Sequence, residues 1–145
     1  MTIWFDMDGT IANLYSVDGW LDKLRAEDPT PYMEAEPLLN LQRLARKLNR
    51  LQAQGYQLGI VSWTAKVSSE LYCHDVTAAK LVWLERHLQS VSWDYIEIVP
   101  YGTPKGELCK EGILFDDELN NRMNWCNEQA FEPSQIFDVL SALMA

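Results

Sequence analysis

Two aspartates one residue apart, Asp6 and Asp8, follow the short apolar run Thr2-Ile3-Trp4-Phe5 and are themselves followed by Gly9 and Thr10. Two unit charges about 4 Å apart at an effective dielectric of 20 repel by roughly 4 kcal/mol, so a cation or a proton should join such a pair. The pattern of polar groups closing an apolar run recurs. Ser62, Trp63 and Thr64 end a run over residues 56–61, Lys105 follows a turn-rich segment, and Asp116-Asp117 end Ile113-Leu114-Phe115. Four carboxylates with hydroxyl neighbours favour a hard cation, and Mg²⁺ is commonly held by a few carboxylates, waters and a substrate phosphate. The set contains no thiolate or imidazole, which disfavours zinc. An aspartate beside such an ion can attack phosphorus to form an aspartyl phosphate, while a second acid protonates the leaving alkoxide and then deprotonates water. Asp6 and Asp8 suit these two roles, with hydrogen-bond donation from Ser62 and charge neutralisation by Lys105. Singly, each residue has an ordinary reading as a turn, a strand-end hydroxyl, a solvated charge or a helix cap. Their joint placement at separate strand ends is what chance does not supply.

The elements that must position these groups are strands alternating with helices. The first run suits a strand covered on both faces, and Gly9 permits a sharp departure from it. Residues 37–54 carry Leu38, Leu41, Leu44, Ala45, Leu48 and Leu51 on one stripe, with Pro37 at the start and Gly55 at the end, and predict a helix. A second strand over residues 56–61 follows, then a helix capped by Asp75 and running to about Leu88, then a third strand over 95–99. A fourth strand at 113–115, a helix through Leu119, Arg122, Met123 and Cys126, a short strand near Ala130-Phe131 and a terminal helix from Pro133 to Leu143 complete the chain. This alternation predicts an α/β fold, a parallel sheet flanked by helices with its site at the carboxyl ends of the strands. Residues 13–36, interrupted by Gly19, Pro29 and Pro31, read as an insertion, in which Asp18 would cap a short helix through Trp20, Leu21 and Leu24.

A chain of 145 residues with 48% hydrophobic content suits a single domain with a full core. No apolar stretch approaches bilayer length, and acids stand where a signal peptide would be uninterruptedly apolar, so a soluble, cytoplasmic protein is expected. The net charge of -9 argues against a nucleic acid polymer or an anionic membrane as partner. A small phosphorylated substrate remains compatible, because a bound ion and a lysine reverse the field locally. Cys73, Cys109 and Cys126 are odd in number and widely spaced, which fits buried reduced thiols better than disulfides. Cys73-His74 with His87 lacks the further ligands of a zinc site.

The order Asp6-Met7-Asp8-Gly9-Thr10, strand-terminal Ser62, Lys105 and then Asp116-Asp117 resembles the haloacid dehalogenase (HAD) superfamily of Mg²⁺-dependent phosphohydrolases, across nearly the whole chain. The resemblance implies a three-layer Rossmann-like doubly wound sheet of order 5-4-1-2-3, with Asp6 as nucleophile and Asp8 as acid/base. It implies Mg²⁺ held by the Asp6 side chain, the Asp8 carbonyl and Asp116, with Asp117 assisting. Ser62 and Lys105 would hold phosphate, with Thr10 and Trp63 beside them. Lys105 is preferred as the phosphate lysine over Lys110, and over Lys80, whose mid-helix position looks solvated. The insertion occupies the place of the small cap found in the class that includes the 5'(3')-deoxyribonucleotidases. Its Tyr15, Trp20, Tyr32 and Met33, with Trp63, would form a platform for a nucleobase or another flat leaving group. A receiver-type signalling domain is ruled out by order, since Ser62 stands where its phosphoacceptor Asp belongs. An EF-hand fails because Val17 occupies the place of the bidentate Glu. The alternative is a non-catalytic Mg²⁺- and phosphate-binding module on the same fold.

Overall fold

The computed structural model describes residues 1–109, 111–125 and 129–145. Lys110 and Cys126, both named above, lie outside the described residues. The main sheet has five parallel strands, β1 (Thr2–Phe5), β4 (Gln57–Trp63), β5 (Tyr95–Val99), β6 (Ile113–Phe115) and β7 (Ala130–Phe131), in the order β5-β4-β1-β6-β7. Counted along the chain within this sheet, the order is the 5-4-1-2-3 arrangement read from its other edge. The first strand is central. The chain builds outward on one side of it and then returns to build on the other, which makes the β1/β6 boundary the topological switch point.

Alternation along the strands divides the core into two unequal halves. Ile3 and Phe5, Leu58 and Ile60, and Ile113 and Phe115 point to one face. There they meet Leu44, Leu48 and Leu51 of α3 (Leu41–Ala53), Trp83 and Leu84 of α4 (Glu70–His87), and Ile136 and Leu140 of α7 (Ile136–Met144). The opposite face carries Trp4, Val61 and Leu114, which pack on Cys109 and Trp125. Among the described residues no helix is long and apolar enough to cross a membrane.

Two helix starts differ from expectation for one reason, side-chain capping. Asn40 accepts a hydrogen bond from the Arg43 N–H at 3.0 Å, so α3 begins at Leu41. Pro37, expected to open that helix, pairs instead in the two-residue strand β3 (Glu36–Pro37). Likewise Ser69 accepts from the Tyr72 N–H at 3.1 Å and starts α4 six residues before Asp75. Asp18 does not cap α1 (Trp20–Arg25); Gly19 precedes that helix in a left-handed conformation and no side chain caps it.

Residues 14–35 sit between β2 (Ala12–Asn13) and β3, which pair antiparallel at the base of the insertion. Within the insertion, α1 is followed by α2 (Thr30–Glu34). Leu14 and Tyr32 pack against Tyr72, Val76 and Ala79 of α4, with Trp20, Leu24 and Met33 partly buried beside them. The Ser69 N–H and hydroxyl both donate to the Glu27 carboxylate, at 2.8 and 2.9 Å, and the Tyr72 hydroxyl donates to the Asp28 carbonyl at 2.9 Å. The insertion is thereby tied to the start of α4.

Candidate active site

Register brings the acids together. Phe5 pairs with Phe115 across β1 and β6, so the next residue on each strand, Asp6 and Asp116, leaves the sheet side by side. The Asp6 N–H donates to the Phe115 carbonyl at 2.9 Å, which keeps the two chain exits in step. One carboxylate oxygen each from Asp6, Asp116 and Asp117 can lie within 4.8 Å of one another. Gly9 makes room for the third. Its φ of +81° is one L side chains rarely adopt, and a Cβ there would collide with the Asp117 carboxylate.

Lys105 enters from the first turn of α5 (Lys105–Leu108) and is buried with the acids. Its Nζ donates to Asp6 Oδ1 at 2.9 Å and to Asp116 Oδ2 at 2.7 Å. Burial pushes this ammonium down, but the Asp6 and Asp116 charges outweigh burial and hold it above the ordinary lysine range. Burial, and then the Asp6 charge, push Asp116 up to about 6. Asp117 is raised to about 8 by burial, by the Asp6 charge and by a hydrogen bond with Asp6. Thr10 ties the group: its hydroxyl donates to Asp6 Oδ2 at 3.1 Å and accepts from the Asp117 N–H at 3.2 Å.

Three oxygen-donor carboxylates, converging and crowded enough to retain protons, are the chemistry a divalent ion relieves. The residues present fit Mg²⁺. The Asp8 carboxylate is outside this cluster, because Lys80 Nζ donates to its Oδ2 at 2.8 Å. Burial holds Asp8 above the ordinary carboxylate range, against the pull of the Lys80 charge.

Lys80 is where sequence reasoning failed. Expected as a solvated mid-helix charge, it is 1% exposed. Neighbouring Val76, Ala79, Trp83 and Leu84 form the buried face of α4, and Lys80 shares it. Helical spacing alone carried the signal: residue 80 lies four beyond Val76, three before Trp83 and four before Leu84.

A cavity of about 290 Å³ opens over Asp6, Asp8 and Lys105. Tyr15, Trp20 and Tyr32 of the insertion line it, as do Trp63 and Tyr101 of the sheet end. Trp63 stacks at a tilt on Tyr101, with ring centroids 4.8 Å apart, and its indole N–H donates to the Thr103 carbonyl at 2.8 Å. Tyr15 meets Trp20 edge-on at 5.2 Å. Met33 does not line the cavity but packs beneath the insertion. Thr10, Ser62, Asp116 and Asp117 stand behind the lining residues, with Ser62 just 1% exposed.

Two further residues reach the site. Asn121, on α6 (Leu119–Met123), lines the cavity and its amide donates to Asp116 Oδ2 at 3.1 Å. Thr64 also lines it, and its buried hydroxyl makes no hydrogen bond to the described residues. Asn121 was discoverable as the residue one turn past the acid pair, on the helix that pair precedes. His74 and Cys73 belong to no metal-competent group among the described residues, and Cys73 is half-buried rather than buried, its thiol 3.2 Å from the Ser68 hydroxyl.

No protein-family model matches the chain, and no curated protein sequence matches it. Among solved structures, it is similar to the D,D-heptose 1,7-bisphosphate phosphatase from Burkholderia thailandensis, with a TM-score of 0.53 and 14% sequence identity. The match covers 89% of this chain and 74% of that one. At that identity the likeness is one of fold.

Proposed function

We propose that this chain is a Mg²⁺-dependent phosphomonoesterase of the HAD type, acting on a small phosphate ester through an aspartyl phosphate on Asp6. The observation that carries the reading is convergence: Asp6, Asp8 and Lys105 line one cavity at the carboxyl end of the sheet, and Ser62, Asp116 and Asp117 are tied to them from behind, so four separate segments contribute. The fold shared with a bisphosphate phosphatase supports it.

In this reading an Asp6 carboxylate oxygen bonds to phosphorus as the ester P–O bond breaks. Asp8, whose affinity for a proton burial raises above the ordinary carboxylate range, gives a proton to the departing alkoxide. Water then attacks the phosphoryl group on Asp6, Asp8 takes up its proton, and phosphate leaves with the Asp6 carboxylate restored. Lys105 neutralises charge between Asp6 and the incoming phosphate, and Thr10 keeps Asp6 oriented. Asp6, Asp116 and Asp117 are the side chains that would hold Mg²⁺, with the Asp8 carbonyl. When bound, the ion supplies positive charge opposite the phosphoryl oxygens. Residues 13–36 serve as a small cap, and their Tyr15 and Trp20 with Trp63 give the leaving group flat apolar walls, which suits a nucleotide-like ester.

Hydrolysis of p-nitrophenyl phosphate and of a nucleotide panel, with and without Mg²⁺, tests this against Asp6→Asn. Turnover should require Mg²⁺ and vanish in the variant. Undiminished turnover by Asp6→Asn would remove the nucleophile assignment. Mg²⁺ binding by a wild type inert on every ester would leave the binding-module alternative.

A further inference from the structure

Lys80 carries an inference that rests on the phosphomonoesterase reading and goes beyond it. Its Nζ donates to Asp8 Oδ2 at 2.8 Å, to Ser62 Oγ at 2.7 Å and to the Trp63 carbonyl at 2.6 Å. An ammonium has three donors and no acceptor, so all three are spent. Ser62 Oγ must therefore be the acceptor in its bond with Lys80, which leaves the single hydroxyl hydrogen of Ser62 unused. No described residue accepts it: the bond from Lys80 is the hydrogen bond Ser62 Oγ makes. Without Lys80 nothing would fix the Ser62 hydroxyl as a donor toward the site, because a hydroxyl both donates and accepts.

We infer that Lys80 is a positioning residue, which sets the polarity of Ser62 so that its hydroxyl donates to a phosphoryl oxygen instead of to the protein. The same ammonium also holds Asp8 Oδ2. Lys80 itself does not line the cavity and acts through these two residues. The ring of Tyr32, on the insertion, lies 5.3 Å from the ammonium.

The experiment is a double-mutant cycle on the full chain with Lys80→Gln and Ser62→Ala. It reads inorganic phosphate affinity by calorimetry in Mg²⁺, steady-state p-nitrophenyl phosphate kinetics, and thermal melts to check folding. Loss of one hydrogen bond to a charged partner predicts about 10- to 100-fold weaker phosphate binding in either single variant. The double variant should lose little more than either alone, because both remove the same contact. Lys80→Arg, which keeps the charge and the donors, should bind phosphate within about threefold of the wild type. Wild-type phosphate affinity in Lys80→Gln, or losses that multiply in the double variant, overturns the inference. Should Lys80→Gln fail to fold, Lys80→Arg decides: a well-folded arginine variant as weak as Ser62→Ala overturns it, and retained affinity supports it. Absence of phosphate binding by the wild type overturns it whatever the turnover. Failure of the enzyme reading looks different, since Asp6→Asn would then turn over like the wild type while the phosphate-binding cycle stands.

Discussion

Lys105→Met tests the electrostatic centre of the site most directly. The ammonium lies 2.9 Å from Asp6 Oδ1 and 2.7 Å from Asp116 Oδ2, and all three groups are buried. At an effective dielectric of 20, each contact contributes about 6 kcal/mol of attraction, against a desolvation cost of several kcal/mol per ion. Removing one partner of such a pair leaves uncompensated buried charge and typically costs about 3–5 kcal/mol. The two carboxylates keep other donors here: Thr10 on Asp6, and the Glu118 N–H and Asn121 amide on Asp116. The lower end of that range, about 3 kcal/mol, is therefore expected. For a domain of this size that lowers the melting temperature by roughly 6–12 °C, within the total stability of a small domain. The cost should appear in EDTA and shrink in Mg²⁺, because the variant has lost a cation that competes for the same oxygens. Mg²⁺ should therefore bind the variant more tightly than the wild type while kcat falls on the order of a hundredfold or more. Urea denaturation in EDTA and in Mg²⁺, beside phosphatase assays, reads all of this. A variant as stable as the wild type in EDTA, or one that Mg²⁺ stabilises less than the wild type, would refute the reasoning.

Three other perturbations have definite signs. Gly9→Ala should cost about 1–2 kcal/mol for the left-handed backbone and further displace the Asp117 carboxylate, giving a folded protein with weakened Mg²⁺ affinity by calorimetry; wild-type affinity would contradict the packing argument. Thr64→Val removes a buried hydroxyl that has no partner among the described residues, so the ligand-free protein should gain about 1 kcal/mol in urea denaturation while phosphate binding weakens; a loss of stability would show that the hydroxyl is satisfied. The pH dependence follows from Asp116 at about 6 and Asp117 at about 8, both above the ordinary 3.8. The folded metal-free protein then holds protons that the unfolded chain has released. This contribution to stability is full below pH 3.8 and is lost as pH rises through about 8. Urea midpoints in EDTA should fall across that window and flatten in Mg²⁺, whereas midpoints that rise in EDTA would reverse the assignment.

The sequence by itself determined the sheet and the placement of most of the candidate site residues, because both are written locally. An apolar run that stops at Asp6 or Asp116 says where a strand ends, and alternation with helices says that the strands run parallel. The run before Ser62 ends two residues short of the end of β4, which continues through Trp63. Capping was also local but was read one candidate too late at Asp75 and too early at Pro37, since several residues near each helix start compete and packing selects among them. Tertiary structure alone decided the fate of the lysines. The turn before Lys105 and the helical spacing around Lys80 hint that each is buried or near the site, but neither says that one meets Asp6 and Asp116 and the other Asp8 and Ser62. A buried ammonium is stable only where long-range register delivers enough acceptors to satisfy its donors, and that condition is met by strands and helices many residues apart in the chain.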